Sequence, residues 1–318
     1  ARISRLHDYL RGLKSGVSDG PALYRQHQAD LLATTPLEIM ELFNQRLEHG
    51  DTVEDILGYL DQAINVFAHS LKALADAPVQ ANQRTDHESP SLFIDLLAAE
   101  NGAIEQALAE IRASLLSSQP LDLVWLRQRF ESLAVVNQHY LKKENILFPM
   151  LEKQHPRFAG LKIMWALQDR ARQIMKQAEQ SLADENLTEK ALNTLLGEVF
   201  FVLLGLVKKE NWLLFPLANQ QFDRPAQLGL LAQCRDYPPA LLEPEVYQQR
   251  LAVAKDIPLQ QSPDLTSATV EGLSGAWLQT PTGSLNMNQA IGLFNALPVD
   301  LSFVDADNKL RYFTRPKD

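Results

Sequence analysis

The chain has a single cysteine, Cys234, in 318 residues. No intrachain disulfide can form and no cysteine-based metal cluster is available, which fits a reducing compartment and leads us to expect a cytoplasmic protein. Histidine is scarce as well, seven in all. Positive charge is in deficit, with 30 Lys and Arg against 39 Asp and Glu and a net charge of −9. A general nucleic-acid or anionic-membrane binder needs a basic face, so neither partner is expected. No apolar run reaches the roughly 18 residues of a membrane span; Glu198 to Leu206 comes closest and stops at Lys208-Lys209. Ala1-Arg2-Ile3-Ser4 offers no apolar signal region. There is no nucleophile elbow, phosphate-binding glycine loop or HExxH motif, so the chain is not expected to be an enzyme.

What is present is amphipathic helix. Residues 1 to 75 read as a small helical domain. Leu6, Leu10 and Leu13 form one stripe; Thr35-Pro36 opens a helix carrying Ile39, Leu42, Phe43 and Leu47; Asp51-Thr52 caps another with Ile56, Leu60, Ile64 and Phe67. Residues 76 to 90 are polar, with two prolines, and read as a linker. Residues 91 to 222 hold four long segments, about 91–117, 121–154, 158–183 and 188–219, each with apolar residues alternating at three and four. Short connectors favour antiparallel neighbours, which predicts a four-helix bundle. Between residues 223 and 285 lie seven of the 17 prolines, a density that predicts an extended linker. In the last stretch, 286 to 318, a helix over Asn288–Leu297 precedes a hairpin in which Leu301, Phe303, Leu310 and Tyr312 flank Asp305–Asn308. The fold class is therefore all-α, with a small β element at the end.

Each bundle stripe has one polar break: Glu100 between Leu97 and Ile104, Glu144 between Tyr140 and Leu147, Gln168 between Trp165 and Ala171, and Glu210 between Leu206 and Leu213. Four facing helices thus direct a polar layer inward. A buried carboxylate must be paired, protonated or metal-bound. Carboxylates on facing helices build di-iron sites, usually with histidines added. Here His139 is the only histidine inside the four segments. Five residues of α-helix separate His139 from Glu144, so their side chains leave the axis roughly 140° apart. His139, Glu144, Glu210 and Glu100 are the candidate metal-ligand remnants, with non-haem iron the candidate cofactor. The competing reading is a metal-free layer in which Lys142, Lys143, Lys208, Lys209 and Arg172 pair with the glutamates, and His139 is a partly exposed residue at the bundle edge. A shared proton between Glu144 and Glu210, or a hydrogen bond from Gln168 or a lysine, would offset burial of Glu210.

The segment His139-Tyr140-Leu141-Lys142-Lys143-Glu144-Asn145-Ile146-Leu147-Phe148-Pro149 resembles the motif of bacterial hemerythrin-like (HHE) proteins. Lys209-Glu210-Asn211-Trp212-Leu213-Leu214-Phe215-Pro216 is its counterpart in the fourth segment, and the Phe-Pro pairs mark the expected helix ends. Pro36 to Leu71 resembles the N-terminal region of proteins classed as domain of unknown function 438, and Leu297–Asp305 with Arg311-Tyr312-Phe313 resembles the first hairpin of a PAS domain, incomplete here. The resemblance implies a histidine in the first segment, where this chain has Asp95 or Leu92, and one at Gln168. It also implies an acidic pair where this chain has Glu210-Asn211, and a Cys-Asp-x-His cluster where it has Leu60-Asp61-Gln62-Ala63. With those ligands missing, the expectation is a cytosolic sensory or regulatory protein with a degenerate metal site, meeting an unknown protein partner or itself through the PAS region. The alternative is a non-haem iron protein for iron handling, or for repair of iron centres under oxidative or nitrosative stress.

Overall fold

The computed structural model describes residues 2–14, 20–76, 92–117, 121–154, 160–184, 186–257, 277–280, 283–296, 302–304 and 310–313, and all that follows concerns these. They fall into two compact units, 1–258 and 259–318.

The first unit is all helix. α1 (Arg2–Lys14), α2 (Gly20–Leu32), α3 (Pro36–Glu48) and α4 (Val53–Asp76) precede the bundle. Thr35 and Glu38 form a reciprocal capping box that starts α3, with Pro36 supplying a preset φ at its first position. The turn after α3 passes through Gly50 at φ 99°, a conformation that costs a residue with a Cβ. Thr52 and Asp55 repeat the capping exchange at α4. α2 has no counterpart in the sequence reading. Except for Asp76, the linker expected at 76–90 lies outside the described residues.

The bundle follows as α5 (Phe93–Leu115), α6 (Leu123–Leu133), α7 (Val136–Lys142), α9 (Leu161–Ala183) and α10 (Glu189–Lys209). The second and fourth rods do not stop at their Phe-Pro pairs. Each widens into a π-helical turn, Lys143–Leu147 and Glu210–Leu214, and then continues as α8 (Phe148–Gln154) and α11 (Phe215–Gln221). Proline lacks the N–H that an α-turn would direct at the carbonyl four residues back, and its ring crowds that carbonyl. The wider turn lets Phe148 N–H reach the Lys143 carbonyl and Phe215 N–H reach the Glu210 carbonyl instead.

Most residues of the expected apolar stripes are buried; Leu47 is half-buried and Trp165 is the most exposed. Trp165 is 36% exposed, resting its ring on Phe148, and Met164 takes the inward place. The rod Glu189–Gln221 is long and apolar enough to cross a membrane by length and composition, contrary to the sequence reading. Its apolar face, Leu192, Leu196, Val199, Leu203, Leu206, Leu213 and Leu217, is bundle core. α3 and α4 present Met40, Phe43, Leu60 and Ile64 to Ile163, Met164, Leu167 and Leu213 of the bundle.

The proline-rich stretch also departs from expectation. Residues 224–252 are not extended: α12 (Arg224–Gln233) and α13 (Pro244–Ala252) fold against the bundle. Pro225 and Pro244 sit at helix starts, where a missing N–H costs nothing, so proline density there marks helix entry rather than linker. Tyr247 is buried and its hydroxyl donates to the carbonyl of Cys234 or Tyr237 (2.9 and 3.0 Å).

In the second unit, β1 (Trp277–Thr280) pairs antiparallel with β2 (Gly283–Asn286), α14 (Met287–Ala296) follows, and β3 (Ser302–Val304) pairs antiparallel with β4 (Leu310–Phe313). The later hairpin and the helix match the sequence reading; the earlier hairpin was not anticipated.

A chain ending at residue 222, where the bundle alone was expected to stop, should unfold well below a chain ending at 258. Burial of Tyr247 alone is worth about 2–3 kcal/mol. Thermal unfolding by circular dichroism of the two lengths checks this; equal midpoints would mean that α12 and α13 contribute nothing.

Candidate functional site

The bundle centre is a chain of charged side chains running across it. Glu100 on α5, His139 on α7 and Glu210 at the start of the second π turn are fully buried. His139 lies between the carboxylates, with Nδ1 3.0 Å from Glu100 Oε2 and Nε2 2.9 Å from Glu210 Oε2. Ionised carboxylates only accept hydrogen bonds, so a ring with hydrogen on both nitrogens satisfies both contacts. The other carboxylate oxygens meet lysines: Lys142 Nζ donates to Glu100 Oε1 and Lys143 Nζ to Glu210 Oε1. Both lysine side chains are completely buried. Each ammonium also faces a ring, Lys142 that of Tyr247 and Lys143 that of Tyr140, both at 4.7 Å. Glu100 Oε1 takes a further hydrogen bond from the backbone N–H of Ala240 at 3.1 Å. The chain turns there through Leu241, the one non-glycine with a left-handed φ (61°) among the described residues.

Burial alone would raise the pKa of Glu210, but Lys143 and His139 outweigh it and hold the carboxyl down at about 2. Burial likewise works against ionised Glu100, and His139 with Lys142 hold it below the ordinary carboxylate range. For Lys143, burial lowers the pKa and the attraction of Glu210 does not fully restore it.

Glu144 belongs to a second group. Arg172 of α9 donates Nη2 to its Oε1 at 2.7 Å, donates Nε to Asn137 Oδ1 at 2.8 Å, and lies over the Tyr140 ring. Burial nevertheless pushes the Glu144 pKa up. Gln168 is buried with neither amide atom hydrogen-bonded within the protein. Asn101 donates to Asn211 Oδ1 at 2.9 Å and keeps an unpartnered, buried Oδ1.

Glu100, Glu144, Gln168 and Glu210 are all buried, but their wiring differs from the sequence reading. His139 is not a partly exposed bundle-edge residue; it is the bridge. Glu210 takes a lysine, as one alternative held, but neither Gln168 nor a proton shared with Glu144. Helical phase explains the last point, because the 140° between His139 and Glu144 sends Glu144 toward Arg172. Leu92 and Asp95 do not face the layer: Asp95 accepts from the Leu92 N–H in the first turn of α5. The polar groups that α5 buries are Glu100 and Asn101. Sequence reasoning missed Ala240 and Tyr247, because no periodicity links that segment to α5.

Residues 92–218 match the family model described as Hemerythrin HHE cation binding domain. No curated protein matches the chain. The bundle is therefore hemerythrin-like, and the family description implies a bound cation. The residues here do not fit one. Both ring nitrogens of His139 are occupied, and Glu100, Glu210 and Glu144 each carry a protein cation. Among the described residues no group of three or more His, Cys, Asp or Glu converges as a metal site.

Replacing His139 with Ala strands two buried carboxylates and should cost about 3–5 kcal/mol in urea unfolding; a cost under about 1 kcal/mol would contradict the bridging role. Acid should act through Glu210. Its folded-state pKa is depressed, so the stability it contributes is complete above the ordinary value of 4.5 and is lost as pH falls toward about 2. Glu210→Gln should be less stable than wild type at neutral pH, with a flatter pH dependence across that window. Parallel slopes for the two proteins would remove Glu210 from the linkage.

Proposed function

We propose that this chain is a cytosolic sensory or regulatory protein in which the hemerythrin-like bundle couples the parts on either side of it and carries out no catalysis. One observation carries the reading. Lys209, next in chain to Glu210, is buried and reaches Asp61 on α4 at 2.5 Å. Glu210 leads through His139 to Glu100, and Glu100 holds the Ala240 N–H in the segment that follows the bundle. A polar path thus runs from the N-terminal helices through the core to the chain that leads to the second unit. Lys208 strengthens the first junction through Asn65 at 2.7 Å. The N-terminal region resembling domain of unknown function 438 receives or relays a signal in this reading. The C-terminal unit, with its PAS-like hairpin, supplies sensing or self-association.

The second reading, a non-haem iron protein for iron handling or repair of iron centres, rests on the cation-binding family description of residues 92–218. Iron analysis of protein purified without chelator separates the two; about two equivalents would favour iron handling.

Coupling is tested by hydrogen exchange on the full chain. Asp61→Asn should raise exchange at α4 and also in residues 237–251, which Asp61 does not touch. Glu100→Gln should do so from the other end. A change confined to α3, α4 and the Lys209 turn would show two independent modules.

A further inference from the structure

The fourth rod carries more apolar surface than the core uses: only 44% of its most apolar stretch is buried. Part of the remainder gathers on one face of α10. At 100° per residue, Thr194, Gly197, Phe201 and Leu204 fall within about 80° of one another around the helix. All four are exposed, Phe201 by 57% and Leu204 by 38%.

Phe201 borders a groove of about 400 Å³ between α9 and α10, and Gly197, one turn earlier, lines the same groove. A Cβ at Gly197 would have nothing within 4 Å, and its φ is not left-handed. Neither backbone nor packing inside the chain calls for glycine there, although glycine within a helix costs helix stability. The missing side chain leaves a hollow beside an exposed ring. Charge is arranged in the same way. Arg170 of α9 and Glu198 of α10 stand on the two walls of the groove. Among the described residues neither has an ion-pair partner, and Asp169, next in chain to Arg170, is held by Arg172. A ring with a hollow, and a cation with an anion, make one surface complementary to itself, as an isologous two-fold contact requires. An anionic bilayer would call for an excess of basic groups instead.

We propose that α9 and α10 form a docking face for a second copy of this chain, with the two α10 helices antiparallel and each Phe201 seated over the partner's Gly197. A two-fold axis level with residue 199 does this, because Gly197 and Phe201 lie equally far on either side of it. The same axis sets Leu204 against the partner's Thr194 and turns each Arg170 toward the partner's Glu198. Gln173 and Gln177 supply a polar rim, as at contacts between soluble subunits. Self-association then belongs to the bundle, independently of the C-terminal unit and of any signal that the bundle transmits.

The test is sedimentation velocity of the full chain from about 1 to 100 µM, the range in which a moderate interface assembles. Wild type should pass from monomer to dimer, and Phe201→Glu should stay monomeric throughout. Gly197→Leu fills the hollow and should also stay monomeric, yet melt higher than wild type at the lowest concentration, because it replaces a glycine within a helix. Arg170→Glu should weaken the dimer by roughly tenfold, and adding Glu198→Arg should restore it; this pair decides the question if Phe201→Glu does not fold. Wild type that stays monomeric at the top of the range would overturn the proposal. A dimer that survives both Phe201→Glu and Gly197→Leu would overturn it too, since it would be held elsewhere. So would monomeric wild type that floats with phosphatidylcholine vesicles and loses this with Phe201→Glu, because the face would then serve a lipid surface.

Discussion

An imidazole held between two buried carboxylates sets the terms for everything around it. Removing Glu100 and Glu210 from water would be prohibitive if they were left alone, and one histidine cannot offset both. The lysines complete the charge balance, and Ala240 N–H adds a hydrogen bond at Glu100. Such a network is weak evidence for stability, because well-packed apolar residues in its place would do as well or better. Its physical consequence is geometric. α5, α7 and the turn after α10 have only one relative height at which all five side chains find their partners, so the network fixes helix register.

That register depends on the backbone irregularity ahead of each Phe-Pro pair. A regular α-turn would have brought Pro149 and Pro216 against carbonyls they cannot bond. The π turns relieve this and begin at Lys143 and Glu210, the two partners of one ion pair. π turns are frequent at functional sites, and here both lie at the centre. The family model that residues 92–218 match is described as cation binding. In this chain the same part of the bundle carries its cations on its own side chains.

The network also reaches outward. Lys209 joins the second π turn to α4, and Glu100 and Lys142 meet the segment from Ala240 to Tyr247. A polar centre that holds its own helices in register also holds the elements packed on both sides of it. This arrangement suits a coupling element better than an isolated store.

The sequence by itself determined the helical class and the four rods of the bundle, because a period near 3.6 over twenty residues has one solution: an amphipathic helix with one buried face. It also determined that Glu100, Glu144, Gln168 and Glu210 point inward, since each interrupts an apolar stripe. The later hairpin and α14 were legible from the change to a period of two and from turn residues. The tertiary structure alone decided who pairs with whom. Lys142 and Lys143 were two of five cations that the sequence offered to the glutamates, and only the approach of α5 and the fourth rod assigns them to Glu100 and Glu210 and makes them core residues. Ala240 and Tyr247 lie more than a hundred residues from Glu100, so no local pattern could connect them. The prolines at helix starts looked like linker because sequence shows their density but not which N–H groups the fold leaves without need of a partner.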